Sequence, residues 1–210
     1  MGYHRIRADH IAAEHRALKH SPRTFAVERL GIGDWPALVA DERHPVISPD
    51  VWDALAVKDD ETPVLTGTCA LAIDRSPDGK VWTIAAAVRT HAGVHVEIGF
   101  HGHASNHEVL SKVLACVCEF DPAAVVVDAK SSAAPIRALL AEAGVEATLT
   151  NTSEFVLACG GFVDDIAAGR ISHTAQEVLN TAVANGSRRE LPAGGWAWSR
   201  NADGPISRHL

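Results

Sequence analysis

Apolar positions in the centre of the chain follow the pattern of β-strands joined by tight turns. A first apolar segment at residues 68–74 ends on an aspartate, and turn residues at 77–79 lead into a second apolar segment at residues 80–89. A third segment at residues 94–100 alternates between apolar and polar positions. This alternation predicts four apolar side chains on one face of the third strand: Val94, Val96, Ile98 and Phe100.

Helical patterns begin after the third strand. The capping box Ser105-x-x-Glu108 predicts the start of a helix that ends at Asp121-Pro122. A continuously apolar fourth strand at residues 123–128 also ends on an aspartate, and its composition is typical of a strand covered on both faces. The later predicted elements are helices at residues 132–143 and 153–168, a fifth strand at 145–149, a brief extended piece at 171–173, a helix from the capping box Thr174-x-x-Glu177 to Gly186, and a hairpin arm at 193–199.

The order of these elements predicts the fold class. Three hairpin-linked strands followed by alternating helices and strands indicate an α/β fold, with one mixed five-stranded sheet and helices on both faces. Residues 1–60 differ, because a helical pattern at residues 9–19 is followed by many prolines and glycines. We therefore expect an N-terminal helical and linker arm at residues 1–60 and the main domain at residues 61–210.

Composition and charge exclude several classes of protein. The 210 residues suffice for one domain with an appendage, which can bury a core without disulfides or structural metals. No apolar run reaches about 18 residues, so no membrane span is expected. A net charge of −7 argues against a protein that coats nucleic acid, but not against an enzyme that acts on DNA through metal ions and a local basic rim.

The two strand-ending aspartates, Asp74 and Asp128, are the candidate catalytic residues. If the first crossover helix returns the fourth strand beside the first, the two strands run parallel and their carboxyl ends lie about 4.8 Å apart. Carboxylates that close repel each other unless a cation lies between them. Their oxygen atoms suit Mg²⁺ or Mn²⁺, and two such ions can clamp a phosphoryl displacement. Alternatively, each aspartate only caps a turn or the next helix.

Residues 24–207 resemble a known family through segments that occur in the same order. They resemble the C-terminal nuclease domain of the large terminase subunit of tailed phages, which belongs to the RNase H-like superfamily. The segments that carry the resemblance are Phe25-Ala26-Val27-Glu28-Arg29-Leu30, Ala72-Ile73-Asp74, Val125-Val126-Val127-Asp128, Gly169-Arg170-Ile171-Ser172-His173 and Gly195-Trp196-Ala197-Trp198-Ser199-Arg200.

The resemblance implies an RNase H-like, metal-dependent endodeoxyribonuclease that cuts concatemeric DNA during genome packaging in the host-cell cytoplasm. It implies that Asp74 and Asp128 hold two Mg²⁺ or Mn²⁺ ions, with Asp203 as the candidate for the family's third acidic ligand. The implied partners are double-stranded DNA, a packaging ATPase domain, the small terminase subunit and the portal.

The packaging ATPase is expected to lie outside this chain, because no Gly-x-x-x-x-Gly-Lys-[Ser/Thr] sequence occurs. Residues 1–60 then correspond to the tail of the ATPase domain and its linker, and residues 61–210 to a nuclease domain truncated at its C-terminus. A fragment of this kind, or a degenerate prophage gene, would account for the sequence.

Several other side chains have both a functional and an ordinary interpretation. Three cations either contact the DNA backbone or are ordinary surface residues: Lys130, Arg188 and Arg189. For the other candidates the ordinary role is favoured over the functional one. His101, His103 and His107 are expected to be exposed loop residues, and His173 to be hydrogen-bonded. Trp196 and Trp198 are expected to pack, and Asp78 to form a turn, although Asp78 is also the alternative third metal ligand.

Two further functions remain compatible with the sequence. An actin-like sugar kinase or ATPase lobe also has an aspartate before its first hairpin, but here Arg75-Ser76-Pro77 replaces the glycine-rich phosphate turn. A non-catalytic module that has kept the RNase H-like fold would bind packaging partners or DNA without cutting it.

Overall fold

The computed structural model describes residues 45–58, 63–192 and 194–199. The chain divides into two units, Met1–Arg43 and His44–Leu210, and all described residues belong to the second. The predicted helix at residues 9–19, the predicted domain boundary near residue 60 and the predicted ligand Asp203 lie outside the described residues.

The centre of the second unit is one mixed sheet. Its strands are β1 (Leu65–Arg75), β2 (Val81–Thr90), β3 (Val94–His103), β4 (Ala124–Asp128), β5 (Ala147–Thr150) and β6 (Ile171–His173). They lie in the order β5–β4–β1–β2–β3–β6. Strands β1, β2 and β3 are antiparallel neighbours, whereas β4 is parallel to β1, β5 to β4, and β6 to β3. The sheet therefore has an antiparallel centre and parallel flanks.

One short helix precedes β1, and the longer helices lie between or after the later strands. They are α1 (Pro49–Asp53), α2 (Asn106–Phe120), α3 (Ile136–Glu142), α4 (Thr152–Ala167) and α5 (Glu177–Ala184), and a two-stranded hairpin of β7 (Arg188–Glu190) and β8 (Trp196–Trp198) follows them. The predicted capping box starts α2, because Ser105 Oγ accepts from the Glu108 N–H and the Glu108 carboxylate accepts from the Ser105 N–H. The hydrogen bond from the Ser105 N–H to the carboxylate is the main reason why the pKa of Glu108 is lowered. Among the described residues, no helix is both long and apolar enough to cross a membrane.

Two apolar clusters hold the helices to the sheet. The first core joins β1, β2 and β4 to α2 and α3, and the second joins β3 and β6 to α1, α4 and α5. Burial of each large apolar side chain contributes about 1.5–3 kcal/mol. Principal members of the first core are Leu71, Ile73, Trp82, Ile84, Val109, Val113, Val125, Val127, Ile136 and Leu140, and of the second Trp52, Ile166, Ile171, Leu179 and Val183.

The predicted α/β fold class is confirmed, but the sheet formed by the described residues has six strands and not five. The additional strand is β6, which the sequence predicts only as a brief extended piece. Its three residues pair with β3, which lies far earlier in the chain. A strand this short carries no periodic pattern of its own, so only the tertiary pairing defines it.

The predicted single apolar face of β3 is wrong at Phe100. The pairing of β2 with β3 shifts between Ile84 and Ala85, whose partners are Phe100 and Ile98. Gly99 is therefore the extra residue of a β-bulge, which reverses the alternation of side chains. As a result, Ile98 packs against the second core while Phe100 packs against the first.

The capping box predicted at Thr174 and Glu177 is also wrong. Gln176 occupies the N-cap of α5, and no side chain caps that helix end. The Gln176 amide is instead bound to the backbone of Ile98, accepting from its N–H at 2.6 Å and donating to its carbonyl at 3.0 Å. A tertiary contact thus takes the place of the local cap.

Helix α3 starts four residues later than predicted, at Ile136 and not at 132. The hydroxyl groups of Ser131 and Ser132 bond to groups of the first hairpin in place of a helix end. Residues 129–135 consequently form a loop, which is called the β4–α3 loop below.

His173 of β6 has the hydrogen-bonded role that the sequence favours. It is fully buried and stacks on Trp52 of α1, with ring centroids 3.9 Å apart and planes 7° apart. Its Nδ1 accepts from the Ala175 N–H at 3.1 Å, so Nε2 carries the proton and donates to the Trp52 carbonyl at 3.0 Å. Burial lowers the pKa of His173, and the ring is held neutral.

The close approach of Gly93 to β6 generates a stability prediction. A Cβ atom at Gly93 would lie 1.9 Å from the Arg170 carbonyl oxygen, whereas a Cβ at Gly102 would meet only the Phe100 ring at 3.7 Å. We expect Gly93→Ala to lower the free energy of unfolding by about 3 kcal/mol, and Gly102→Ala by less than about 1 kcal/mol. Chemical denaturation measures both, and equal stability of the two variants would contradict the β3–β6 packing.

The neutral state of His173 predicts how stability depends on pH. The unfolded chain protonates this residue near pH 6.5, whereas the folded chain resists protonation, so its contribution is complete above about pH 6.5 and is lost as pH falls. We expect His173→Gln to flatten the decline of unfolding free energy between pH 8 and pH 5.5. The exposed His107 provides the control, since His107→Gln should keep the wild-type dependence. An unchanged pH dependence in His173→Gln would contradict this interpretation.

Candidate metal centre

The pairing of β1 with β4 brings Asp74 and Asp128 to the same edge of the sheet. The last paired residues are Ile73 and Val127, and the next residue of each strand is one of the two aspartates. Neighbouring strands lie about 4.8 Å apart. Ile73 and Val127 are buried in the first core, so the alternation of side chains places both aspartates on the opposite face. The structure therefore brings together the two residues that the sequence singles out.

The β4–α3 loop contacts both carboxylates. Ser131 is 6% exposed, and its hydroxyl donates to Oδ1 of Asp74. The backbone N–H of Lys130 donates to Oδ1 of Asp128 at 3.0 Å. Two consecutive residues of this loop thus each donate to one aspartate: Lys130 to Asp128 and Ser131 to Asp74.

Asp78 has the turn-forming role favoured by the sequence. Its Oδ1 accepts from the Ser76 hydroxyl at 2.6 Å and from the Lys80 N–H at 3.3 Å. The Lys80 ammonium group lies 3.8 Å from Oδ2. In turn, the Ser76 carbonyl accepts from the Ser132 hydroxyl at 3.0 Å, which ties the β4–α3 loop to the first hairpin.

A cleft of about 280 Å³ opens beside Asp128. Lys130 and Arg189, two of the three predicted DNA-binding cations, line it together with Asp128. Three hydroxyl-bearing residues complete its polar lining: Ser132, Thr152 and Ser199. The cleft combines negative and positive side chains, as a site for a cation and a phosphate requires.

The third predicted cation, Arg188, is placed differently. Its guanidinium carbon lies 4.3 Å from the centroid of the Trp196 ring, within the distance of a cation–π contact. Trp196 in turn meets Trp198 edge to face at 5.4 Å, and Trp198 packs against the second core. The packing role favoured for the two tryptophans is therefore the one observed, and Arg188 stabilises the hairpin.

The donor atoms at this edge fit a hard divalent cation. Mg²⁺ commonly binds through one or two carboxylates and keeps several waters, and Asp74 and Asp128 each directly follow one of the paired residues Ile73 and Val127. In the part of the chain that the structure describes, no group of three His, Cys, Asp or Glu side chains gathers as a metal site. Asp74 and Asp128 are therefore candidate ligands only, and the third candidate, Asp203, lies outside the described residues.

His101 and His103 lie at the same end of the sheet as Asp74 but two strands away, because Thr83 of β2 pairs with both Asp74 and His101. His101 Nδ1 lies 3.0 Å from the Thr83 hydroxyl oxygen, in a cross-strand contact. His103 and His107 are exposed. The predicted loop position of these three histidines is wrong, because His101 and His103 lie in β3 and His107 lies in α2.

Sequence reasoning missed two hydrogen-bonding groups. Ser131 precedes the predicted helix and carries no motif, so only the folded loop reveals its contact with Asp74. The ring of His95 lies 2.9 Å from Ser172 Oγ of β6 and 3.0 Å from Glu97 Oε1. This network joins β6 to β3, and the only sequence signal for it is that His95 and Glu97 share a strand face.

Comparisons with known proteins identify the fold. No protein-family model and no curated protein matches the sequence. Among solved structures, the HK97 bacteriophage large terminase is similar with a TM-score of 0.63 and 16% identity, over 78% of this chain and 41% of that chain. The large terminase nuclease from thermophilic phage G20c is similar with a TM-score of 0.55 and 13% identity, over 78% of this chain and 92% of that chain.

Two further structures of the G20c nuclease contain metal ions. The form with bound magnesium has a TM-score of 0.52 at 13% identity, and the form with bound cobalt has a TM-score of 0.52 at 12% identity. Each covers 77% of this chain and 90% of that chain. This chain thus spans about two fifths of the HK97 large terminase but most of the separate G20c nuclease. The described chain has the fold of the phage large terminase nuclease domains.

Proposed function

We propose that this chain is the metal-dependent nuclease domain of a phage or prophage large terminase, and that it hydrolyses double-stranded DNA. The observation that supports this most directly is the placement of Asp74 beside Asp128 at the carboxyl edge of β1 and β4. The similar G20c nuclease has been solved with magnesium and with cobalt, which supports a requirement for a divalent ion.

In this proposal Asp74 and Asp128 hold two Mg²⁺ or Mn²⁺ ions, and Asp203 completes the set of ligands. Bound divalent ions would stabilise the charge that develops on the phosphate and would lower the pKa of water. The protein contributes by holding its two carboxylates in place through Ser131 and the Lys130 N–H. No nucleophilic side chain is required for this type of hydrolysis.

The cations in the cleft would bind the DNA backbone. A chain with a net charge of −7 repels a polyanion, so local positive charge is needed where a phosphate approaches Asp128. Lys130 and Arg189 supply that charge, because both line the cleft beside Asp128. Arg188 would contribute only by positioning the hairpin that carries Arg189.

At the level of the whole assembly, we propose that the domain cuts concatemeric DNA during genome packaging in the host-cell cytoplasm. Its partners would be a packaging ATPase domain, the small terminase subunit and the portal. A large terminase from another thermophilic bacteriophage has been solved in complex with ATP-gamma-S, with a TM-score of 0.55 and 13% identity to this chain, which covers 43% of it. That similarity supports an ATPase as partner.

A non-catalytic module with the same fold is the second candidate function. It is favoured by one observation, namely that the described residues hold two neighbouring carboxylates but no group of three metal-binding side chains. The kinase alternative is disfavoured, because the side chains of Ser76 and Asp78 fill the turn where a phosphate loop would be needed.

Replacing either aspartate tests the nuclease proposal. We expect the wild-type chain to cut supercoiled plasmid in the presence of Mn²⁺. Asp74→Asn and Asp128→Asn should each slow cutting by roughly 100-fold or more, because a lost ligand removes several kcal/mol of stabilisation. Asp164→Asn, at an exposed position of α4, is the matched control and should cut normally. Unchanged cutting by Asp74→Asn would refute the assignment, and DNA binding without any cutting by the wild type would favour the non-catalytic module.

Salt dependence tests the roles of the cleft cations. Fluorescence anisotropy of a labelled DNA duplex, recorded in Ca²⁺ at several salt concentrations, gives the association constant K. We expect Lys130→Gln and Arg189→Gln each to make the fall of log K with log salt concentration less steep by about 0.9. Arg137→Gln removes an exposed charge on α3 that does not line the cleft, and its slope should match the wild type. Equal slopes for all three variants would contradict a phosphate contact in the cleft.

A further inference from the structure

The β4–α3 loop contains a buried hydroxyl with a fixed direction of hydrogen bonding. Ser131 Oγ accepts from the Ala133 N–H at 3.0 Å and also bonds to Oδ1 of Asp74. A serine hydroxyl has one proton, and an ionised carboxylate can only accept. Because the Ala133 N–H already donates to Oγ, the hydroxyl proton is directed at Asp74.

This contact fixes the terminal side-chain torsion of Asp74, which by itself has only a broad preference. The rotation of a carboxylate about its Cβ–Cγ bond has broad preferences, unlike the staggered rotation nearer the backbone. A hydrogen bond to Oδ1 therefore determines how the plane of the Asp74 carboxylate is turned. For Asp128 the Lys130 N–H has the equivalent effect, since it donates to that residue's Oδ1 at 3.0 Å.

The loop that carries Ser131 is itself anchored at several points. The Ser132 hydroxyl donates to the Ser76 carbonyl at 3.0 Å, and the Ala129 N–H donates to the Thr150 carbonyl at 3.1 Å. The Ser131 N–H donates to the Asp128 carbonyl at 2.9 Å. The position of the Ser131 hydroxyl is therefore fixed by the fold before any ligand is present.

We propose that Ser131 is a positioning residue, which orients the Asp74 carboxylate for a divalent cation. This inference rests on the proposed function, because it gives the hydroxyl a role only if Asp74 is a metal ligand. Groups that hydrogen-bond to metal ligands typically account for 10–100-fold in metal affinity or activity. The effect should appear in binding of the ion itself as well as in the rate of cutting.

The test measures Mn²⁺ binding by calorimetry in Ser131→Cys, Ser131→Ala and Ser131→Thr. Ser131→Cys keeps nearly the same shape but has a weak donor, so it should fold even if Ser131→Ala does not. We expect a 10–100-fold weaker Mn²⁺ affinity in Ser131→Cys and in Ser131→Ala. Ser131→Thr keeps a hydroxyl and should recover affinity to within about threefold of the wild type. Ser111→Ala, in which an exposed hydroxyl bonded to the His107 carbonyl is lost, should bind as the wild type does.

Thermal unfolding and the Mn²⁺ dependence of plasmid cutting complete the test. If Ser131 acts by positioning, Ser131→Cys raises the Mn²⁺ concentration needed for half-maximal cutting, while the rate at saturating Mn²⁺ falls less. A variant that unfolds at a lower temperature but keeps wild-type Mn²⁺ affinity would show a purely structural role and overturn the inference. If the wild type itself binds no Mn²⁺ and cuts no DNA, the proposed function fails instead, so the two failures are distinguishable.

Discussion

The parallel pairing of β1 with β4 is the constraint on which the rest of the structure depends. The register runs from Ala70 with Ala124 to Ile73 with Val127. Because successive side chains point to opposite faces, a slip of one residue would move Asp128 to the face occupied by the first core. Ile73 and Val127 are 2% and 1% exposed, so the burial of apolar side chains fixes the register. The packing of the core thereby determines which two carboxylates become neighbours.

The chemistry of the site follows from that pairing. Ligand sites in α/β sheets commonly lie outside the carboxyl ends of parallel strands, and here that edge is bordered by the β4–α3 loop and the β7–β8 hairpin. The loop orients the carboxylates, while the hairpin brings Arg189 to the cleft beside Asp128 and Lys130. Although the net charge of the chain is −7, two positively charged side chains therefore lie in the cleft. Core packing, the hydrogen bonds of the loop and the local positive charge thus all act at the carboxyl end of β1 and β4.

Local patterns in the sequence were sufficient to predict the parts that depend on neighbouring residues. The capping box at Ser105, the first hairpin and the strand-ending Asp74 and Asp128 are signals of this kind, and their elements are present in the structure. The bulge at Gly99 and the contact of Ser131 with Asp74 were not predictable, because each depends on pairing between distant segments. The sequence thus indicated the two candidate ligands but not the hydroxyl that orients one of them.

A crystal structure of the chain soaked in Mn²⁺, with anomalous diffraction recorded for the metal, tests the central claim most directly. We expect an anomalous peak that both Asp74 and Asp128 contact through carboxylate oxygens, at roughly the 2.0–2.6 Å typical of hard divalent cations. A second peak nearby would identify the two-ion arrangement and its remaining ligands. Manganese bound only elsewhere, with neither aspartate in contact with it, would contradict the account.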